Sequence, residues 1–294
     1  MQVRAFVGAM CLVWFGGCTS VVTIPSSNQS SRVDYVVIHA TSENFAESMR
    51  LLTTVTDYPV SSHYLIPRAD DPSYPRRRAR LYQFVEEHAR AWHAGVSYWA
   101  GETGLNDRSI GIEIVNEFAC SGDDRKAAQT LPSGIACTFV PYTQTQIDLL
   151  IALLRDIQRR YPDIDPVDFV AHSDIAPMRK SDPGPLFPWR VLFEAGIGAW
   201  FDESQTAALT DVFAQAMPDV NQVQRALNAY GYEVDVTGLM DRQTRFALRA
   251  LQLHYRARDF DGELDAQTVA ILWNLLQRYR PDRYRELDLG SALR

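Results

Sequence analysis

Apolar and polar positions change their rhythm twice along the chain. Between Val33 and about Trp200, short apolar runs are mixed with amphipathic stretches. "VDYVVIHAT" is almost continuously apolar, the pattern of a central strand covered on both faces. "FAESMRLLTTV" reads as a helix, and "VSSHYLIPR", "RLYQFVEE", "SIGIEIVNE" and "VDFVAHSD" as further strands. In "YTQTQIDLLIALLRDIQRRYP", Ile147, Leu150, Ile151, Leu154 and Ile157 make one helical face. Thr143 with Gln146 offers a capping box at its start, and Pro162 closes it. The pattern predicts an α/β fold over residues 33–200, a mixed central β-sheet flanked by helices.

Beyond about Asp202 only helical periodicity remains. "GLMDRQTRFAL" (Gly238–Leu248) and "GELDAQTVAIL" (Gly262–Leu272) repeat Gly, Asp, Gln-Thr and Leu at equal offsets, 24 residues apart. Each Gly can make a turn and each Asp can cap the helix that follows. With "VNQVQRALNAYGY" and its closing Gly231, they predict a small C-terminal three-helix domain over 218–280, after a linker at 201–217. This unit resembles the peptidoglycan-binding type 1 domain.

The first residues follow a third pattern. "MQVRAFVGAMCLVWFGGC" carries Arg4, an apolar run from Ala5 to Phe15, then Gly-Gly-Cys. The run is too short to span a bilayer and reads as a secretory signal, residues 1–17. It resembles a bacterial lipoprotein signal, which implies lipidation of Cys18, a Ser-rich tether over 18–32 and attachment to the periplasmic face of the outer membrane. Cys11 leaves with such a signal. Cys120 and Cys137 then remain, flanking a polar stretch, and in an oxidising compartment they can close it with a disulfide; two unpaired thiols are the alternative. A formal charge of −7 argues against a nucleic-acid partner, whose phosphates require a basic surface. Apolar and charged contents of 46% and 22% are those of an ordinary globular protein. The chain is expected to act as a monomer.

Candidate chemistry gathers at the strand ends. His39 and His172 each close a buried-looking strand, where a side chain can leave the core and still be held rigidly. Asp182 follows in "AHSDIAPMRKSDPGP", stiffened by Pro177, Pro183 and Pro185. Two imidazoles and a carboxylate suit a catalytic zinc, whose fourth position takes water. Spacing alone does not separate this from hydrogen-bonded core histidines. In "SIGIEIVN", Ile110, Ile112 and Ile114 share one face, and Gly111, Glu113 and Val115 the other. Glu113 there either faces water or performs chemistry. The chain has two lysines, Lys126 and Lys180, against many arginines; a lysine two residues from Asp182 suggests that a compact point charge is wanted there.

The set "VVIHATS", "VSSHYLIP", "AWHAG", "NDRSIGIEIVN" and "AHSDIAPMRKSDPGPLFPW" resembles the zinc-dependent N-acetylmuramoyl-L-alanine amidases of the amidase-2 family, from about Val33 to Trp200. The resemblance implies one zinc ion held by His39, His172 and Asp182, with Glu113 and Lys180 catalytic. It implies a peptidoglycan or muropeptide substrate, cut between N-acetylmuramic acid and L-alanine. His63, Trp92, His93, Asn106 and Arg108 fall in shared motifs and become candidate substrate contacts. His88 and His254 look ordinary, one in a polar turn and one on a tail helix. A recognition module without activity and a zinc peptidase acting within the stem peptide are the rival readings.

Overall fold

A computed structural model describes residues 24, 28, 31–120 and 137–287, the side chains of 119, 120, 137 and 138 apart. The expected signal, Cys18 and most of the tether lie outside the described residues, as does Lys126. Arg32, placed at the end of the tether, is fixed: its guanidinium donates to the carbonyl oxygens of Asp107 and Ala89, at 2.6 and 2.8 Å.

The sheet has five strands in the order β3 (Tyr82–Gln83), β2 (Tyr64–Ile66), β6 (Ser109–Ile114), β1 (Tyr35–Ala40) and β9 (Phe169–Ala171). β2, β6, β1 and β9 are parallel, and β3 adds an antiparallel edge. The mixed sheet is the one the sequence predicts; β1 is buried at every position, and the expected helix follows it as α1 (Phe45–Thr53). Two short hairpins complete the strands: β4 (Tyr98–Trp99) with β5 (Glu102–Thr103), and β7 (Ala119–Cys120) with β8 (Cys137–Thr138).

Strand alternation divides the molecule into layers. Val36, Ile38, Ile110, Ile112 and Ile114 point to one face, against α2 (Gln144–Arg160) and α4 (Trp189–Glu194). The capping box of Thr143 and Gln146 is present. The buried face of α2 is turned slightly from the expected one: Leu153 joins Leu150, Leu154 and Ile157 in the core, while Ile147 and Ile151 are only partly covered. Tyr35, Val37 and Val170 point to the opposite face, into a core shared with the C-terminal helices α6 (Val220–Tyr230), α7 (Arg242–Tyr255) and α8 (Ala266–Tyr279). The tail is thus a layer on the sheet, with apolar side chains continuous from β1 to Trp273.

The three predicted tail helices are present, and the repeat explains their ends. Asp241 and Asp265 cap α7 and α8, accepting from Thr244 and Thr268 N–H at 2.9 Å each. Gln224 and Gln252 each bridge a repeat, accepting from Gly238 or Gly262 N–H and donating to the threonine hydroxyl. At Gly262, with φ of +77°, a Cβ would stand 2.6 Å from the Arg245 carbonyl oxygen, so the turn requires glycine. The expected linker at 201–217 is instead mostly helix, α5 (Glu203–Gln215). Asp202 caps it, and Phe213 is buried edge-on against Trp273. Its sparse apolar residues hid it, because two buried positions, Thr206 and Phe213, are enough to dock a helix on a ready-made layer.

Candidate metal centre and catalytic site

The site lies at the C-terminal end of the parallel strands. β1 and β6 run in register, and His39 stands directly beside Glu113. Both occupy the face of the sheet that carries the tail, one position beyond the packed Val37. β9 ends at Ala171, and the chain turns at once into the four-residue helix α3 (His172–Ile175). The loop after it returns Asp182, whose carbonyl oxygen accepts from Ser173 N–H at 3.0 Å. Tyr142 holds the next residue, donating its hydroxyl to the Pro183 carbonyl at 2.8 Å.

His39, His172 and Asp182, expected from sequence to converge, do so. The two Nδ1 atoms are 2.9 Å apart, and Asp182 Oδ2 lies 3.3 Å from His39 Nδ1 and 3.1 Å from His172 Nδ1. All three residues are buried. They form a group that could hold a metal ion.

Hydrogen bonds behind the rings decide where their protons sit. Ser109 Oγ is 2.6 Å from the Leu105 carbonyl oxygen, which can only accept, so the hydroxyl proton goes there. Ser109 Oγ therefore accepts from His93 Nε2, 3.2 Å away. His93 Nδ1 is then a lone pair and accepts from His39 Nε2 at 3.0 Å. On His172, Nε2 faces the Ala94 carbonyl at 3.3 Å and carries the proton. Both Nδ1 lone pairs consequently point at the Asp182 carboxylate. Three electron-rich donors packed at about 3 Å repel one another unless a cation lies between them, and this donor set fits a zinc ion. Burial, helped by His39, lowers the His172 pKa to about 4 against the pull of Asp182, which keeps the imidazole neutral. Burial and the surrounding histidines also push His93 well below the ordinary range.

Glu113 is raised above the usual carboxylate range, first by burial and then by Asp182, while His39 and Lys180 pull it back. Its Oε2 has no hydrogen-bond partner among the described residues. It borders a small cavity of about 90 Å³ with Thr41, Ser48, Leu51, Leu52 and Val60. Lys180 is half-buried, held by its own N–H on the Ala176 carbonyl at 3.0 Å, and its charge reaches both Glu113 and His172.

The candidate substrate contacts separate. Trp92 is 48% exposed and presents a ring to solvent beside the buried His93. His63, His93 and Asn106 are buried, with their polar atoms committed inside the protein. His63 Nδ1 accepts from Gly111 N–H at 3.0 Å, and burial lowers its pKa to about 4. Asn106 Oδ1 accepts from the N–H groups of His93 and Ala94, so it carries the segment that backs the His39 and His172 rings. Gly111 makes room for the His93 ring, since a Cβ there would stand 2.4 Å from His93 Cγ. Arg108 is tied to Asp34 and Glu102 at 2.6 and 3.0 Å. Five residues before Glu113 on an extended strand, it stands about 16 Å away along the chain, at the other end of the sheet.

Residues 29–185 match the N-acetylmuramoyl-L-alanine amidase family, and residues 216–272 match a peptidoglycan binding domain. The first match spans more than half of the chain. This chain belongs to the N-acetylmuramoyl-L-alanine amidase family. The amidase is 42% identical over 252 residues to N-acetylmuramoyl-L-alanine amidase AmiD of Escherichia coli strain K12, covering 85% of each chain. It superposes on the crystal structure of AmpDh3 from Pseudomonas aeruginosa in complex with anhydromuramic pentapeptide, with a TM-score of 0.78 and 40% identity. That match covers 92% of this chain and 99% of the other. The complex of E. coli AmiD with anhydro-N-acetylmuramic acid-L-Ala-D-gamma-Glu-L-Lys gives a TM-score of 0.72 and 40% identity, over 87% and 93% of the two chains.

The sequence concealed several residues around the amidase's site. Ser109 ends the proton chain, yet nothing marks a serine at the start of a strand. His254 was expected to be ordinary, but it is 6% exposed and its Nδ1 lies 2.7 Å from Asp174 Oδ2. Tyr232 donates its hydroxyl to the other oxygen of Asp174 at 2.8 Å. These contacts cross some 60 to 80 residues of chain, which no local pattern shows.

Proposed function

We propose that this amidase cleaves the amide between the lactyl group of N-acetylmuramic acid and the L-alanine of the stem peptide, with one zinc ion held by His39, His172 and Asp182. The observation that carries the reading is the convergence of three donors whose tautomers aim both Nδ1 lone pairs at one point, beside Glu113. Membership of the amidase family supports the bond assignment, and both solved relatives hold anhydromuramyl peptides. When bound, zinc supplies Lewis acidity to the scissile carbonyl and to the attacking water.

Glu113 takes the proton from that water and delivers it to the departing amine of L-alanine. Its burial keeps it more basic than an ordinary glutamate, as a general base requires. Lys180 places a fixed positive charge at the same cluster and steadies the oxyanion that develops on the carbonyl. The proline-rich loop holds Asp182 and Lys180 in place, so neither has to reorganise during the reaction. Trp92 offers the exposed ring on which the sugar or peptide can rest.

The N-terminal pattern supports a lipid anchor on Cys18 and action at the periplasmic face of the outer membrane. The test is mass spectrometry of muropeptides incubated with the signal-less protein, with zinc and after chelation. Stem peptides beginning at L-alanine, released beside intact sugars only with zinc, support the reading. Cleavage within the peptide would overturn it in favour of a peptidase, and intact muropeptides with zinc bound would favour a recognition module.

A further inference from the structure

We infer that the C-terminal helices are part of the metal centre's scaffold, with Tyr232, His254 and Arg249 as positioning residues for His172 and Asp182. This rests on the metal assignment proposed above.

Two of the three proposed ligands, His172 and Asp182, come from one stretch of eleven residues, 172–182. Its only regular element is the single turn α3, far too short to be stable alone. The turn is capped from within: Asp174 Oδ2 accepts from Ala171 N–H at 2.8 Å. That cap needs only one bond, but Asp174 makes three. His254 Nδ1 lies 2.7 Å from the same oxygen, and the Tyr232 hydroxyl donates to Oδ1 at 2.8 Å. Both additional partners belong to the tail, and all three residues are buried.

The partners are themselves held. The His254 ring stacks between Trp189 and Tyr255, with centroids at 3.7 and 4.1 Å. The Tyr255 and Tyr230 hydroxyls are 2.5 Å apart. A second grip lies at the other end of the stretch, where Arg249 Nη1 donates to Ser181 Oγ at 3.1 Å. Ser181 stands between Lys180 and Asp182. α7 therefore reaches both ends of 172–182, through His254 and through Arg249. A buried carboxylate that loses two of its three donors must move or draw in water, and His172 lies two residues away on the same turn. Groups hydrogen-bonded directly to a metal ligand typically change metal affinity by about 10- to 100-fold when removed; Tyr232 and His254 act through Asp174, one bond further out, so the lower end of that range applies.

The test uses the full-length protein and reads zinc affinity by competition with a chelator, together with the visible spectrum of the cobalt-substituted form. The double variant Tyr232→Phe/His254→Leu should bind zinc at least about tenfold more weakly and show an altered cobalt spectrum. His254→Asn, whose amide nitrogen takes the place of Nδ1 and keeps a donor toward Asp174, should restore affinity to within about threefold of the unaltered protein. Leu272→Ala serves as the control: it empties a buried position of the tail on α8, which makes none of these hydrogen bonds. It should lower the Tm while leaving zinc affinity and the spectrum unchanged. Unaltered affinity in the double variant, or an equal loss in Leu272→Ala, overturns the inference. Should the double variant fail to fold, Tyr232→Phe alone removes one hydroxyl and no packing, and a shift of about threefold is then the expected reading. Absence of zinc from the unaltered protein would instead overturn the metal assignment itself.

Discussion

His39 and Glu113 are register partners on adjacent parallel strands, so the proposed metal ligand and the proposed base are held apart by the sheet itself. The two should therefore be separable by substitution. Glu113→Gln should lower kcat by about 10²- to 10⁴-fold and leave zinc stoichiometry intact. His39→Ala should lose the metal and the activity together. Metal analysis alongside turnover distinguishes the two.

Ser109 acts on His39 at two removes, by fixing the tautomer of His93. Ser109→Ala frees His93 to place its proton on either nitrogen. Zinc affinity should fall by about tenfold with little change in the far-ultraviolet circular dichroism. Affinity equal to that of the unaltered protein would mean that the His93 ring is fixed by packing alone.

Gly111→Ala puts a methyl group into the His93 ring. The ring is closed in by His39 and His63, with centroids at 5.1 and 5.8 Å, and has nowhere to retreat. A destabilisation of about 1–3 kcal/mol, measured by urea unfolding, should accompany weaker zinc binding.

Asp168 gives the stability a defined pH dependence. Burial lifts its pKa to about 6, against the pull of Arg280 and the hydrogen bond from Trp99. The folded state then holds a proton that the unfolded chain has released between about pH 4 and pH 6. Asp168 should therefore cost stability as the pH rises through that window, by up to about 3 kcal/mol in total. Asp168→Asn should flatten this part of the stability profile, read as Tm against pH.

Cys120 and Cys137 are directly opposite on the β7–β8 ladder, although their side chains lie outside the described residues. A disulfide between them would close the loop 121–136. Alkylation and mass spectrometry of the protein made in an oxidising compartment should find both thiols protected. Cys120→Ser should lower stability by about 3 kcal/mol.

The parts of this molecule that were legible in its sequence are those with local periodicity or unusual composition. β1 and β6 stood out as apolar runs, α2 by its face and capping box, and the tail by its repeated Gly and Asp. The proposed ligands were half legible: histidines at strand ends and a proline-fenced aspartate suggested a metal, but spacing did not separate that from core hydrogen bonding, and the family resemblance supplied the set. His254 was not, because a histidine on a helix looks the same whether it faces solvent or Asp174. α5 was hidden for the converse reason: it docks through few apolar residues on a surface that other segments supply. His63, His93 and Asn106 were expected at the substrate. They lie buried behind the His39 and His172 rings, a difference of depth that position in the chain does not encode.

The central strand β1 is paired with β6, some 74 residues later, and with β9, some 133 residues later. Such pairings dominate the contact order of the fold and make its assembly slow, since each requires a long loop to close first. The hydrogen bond from His254 to Asp174 extends this dependence a further 80 residues, into the tail helices. On the proposed assignment, the three donors alone would not make a site: its completion would wait on Tyr232, Arg249 and His254, which follow Asp182 by some 50 to 70 residues.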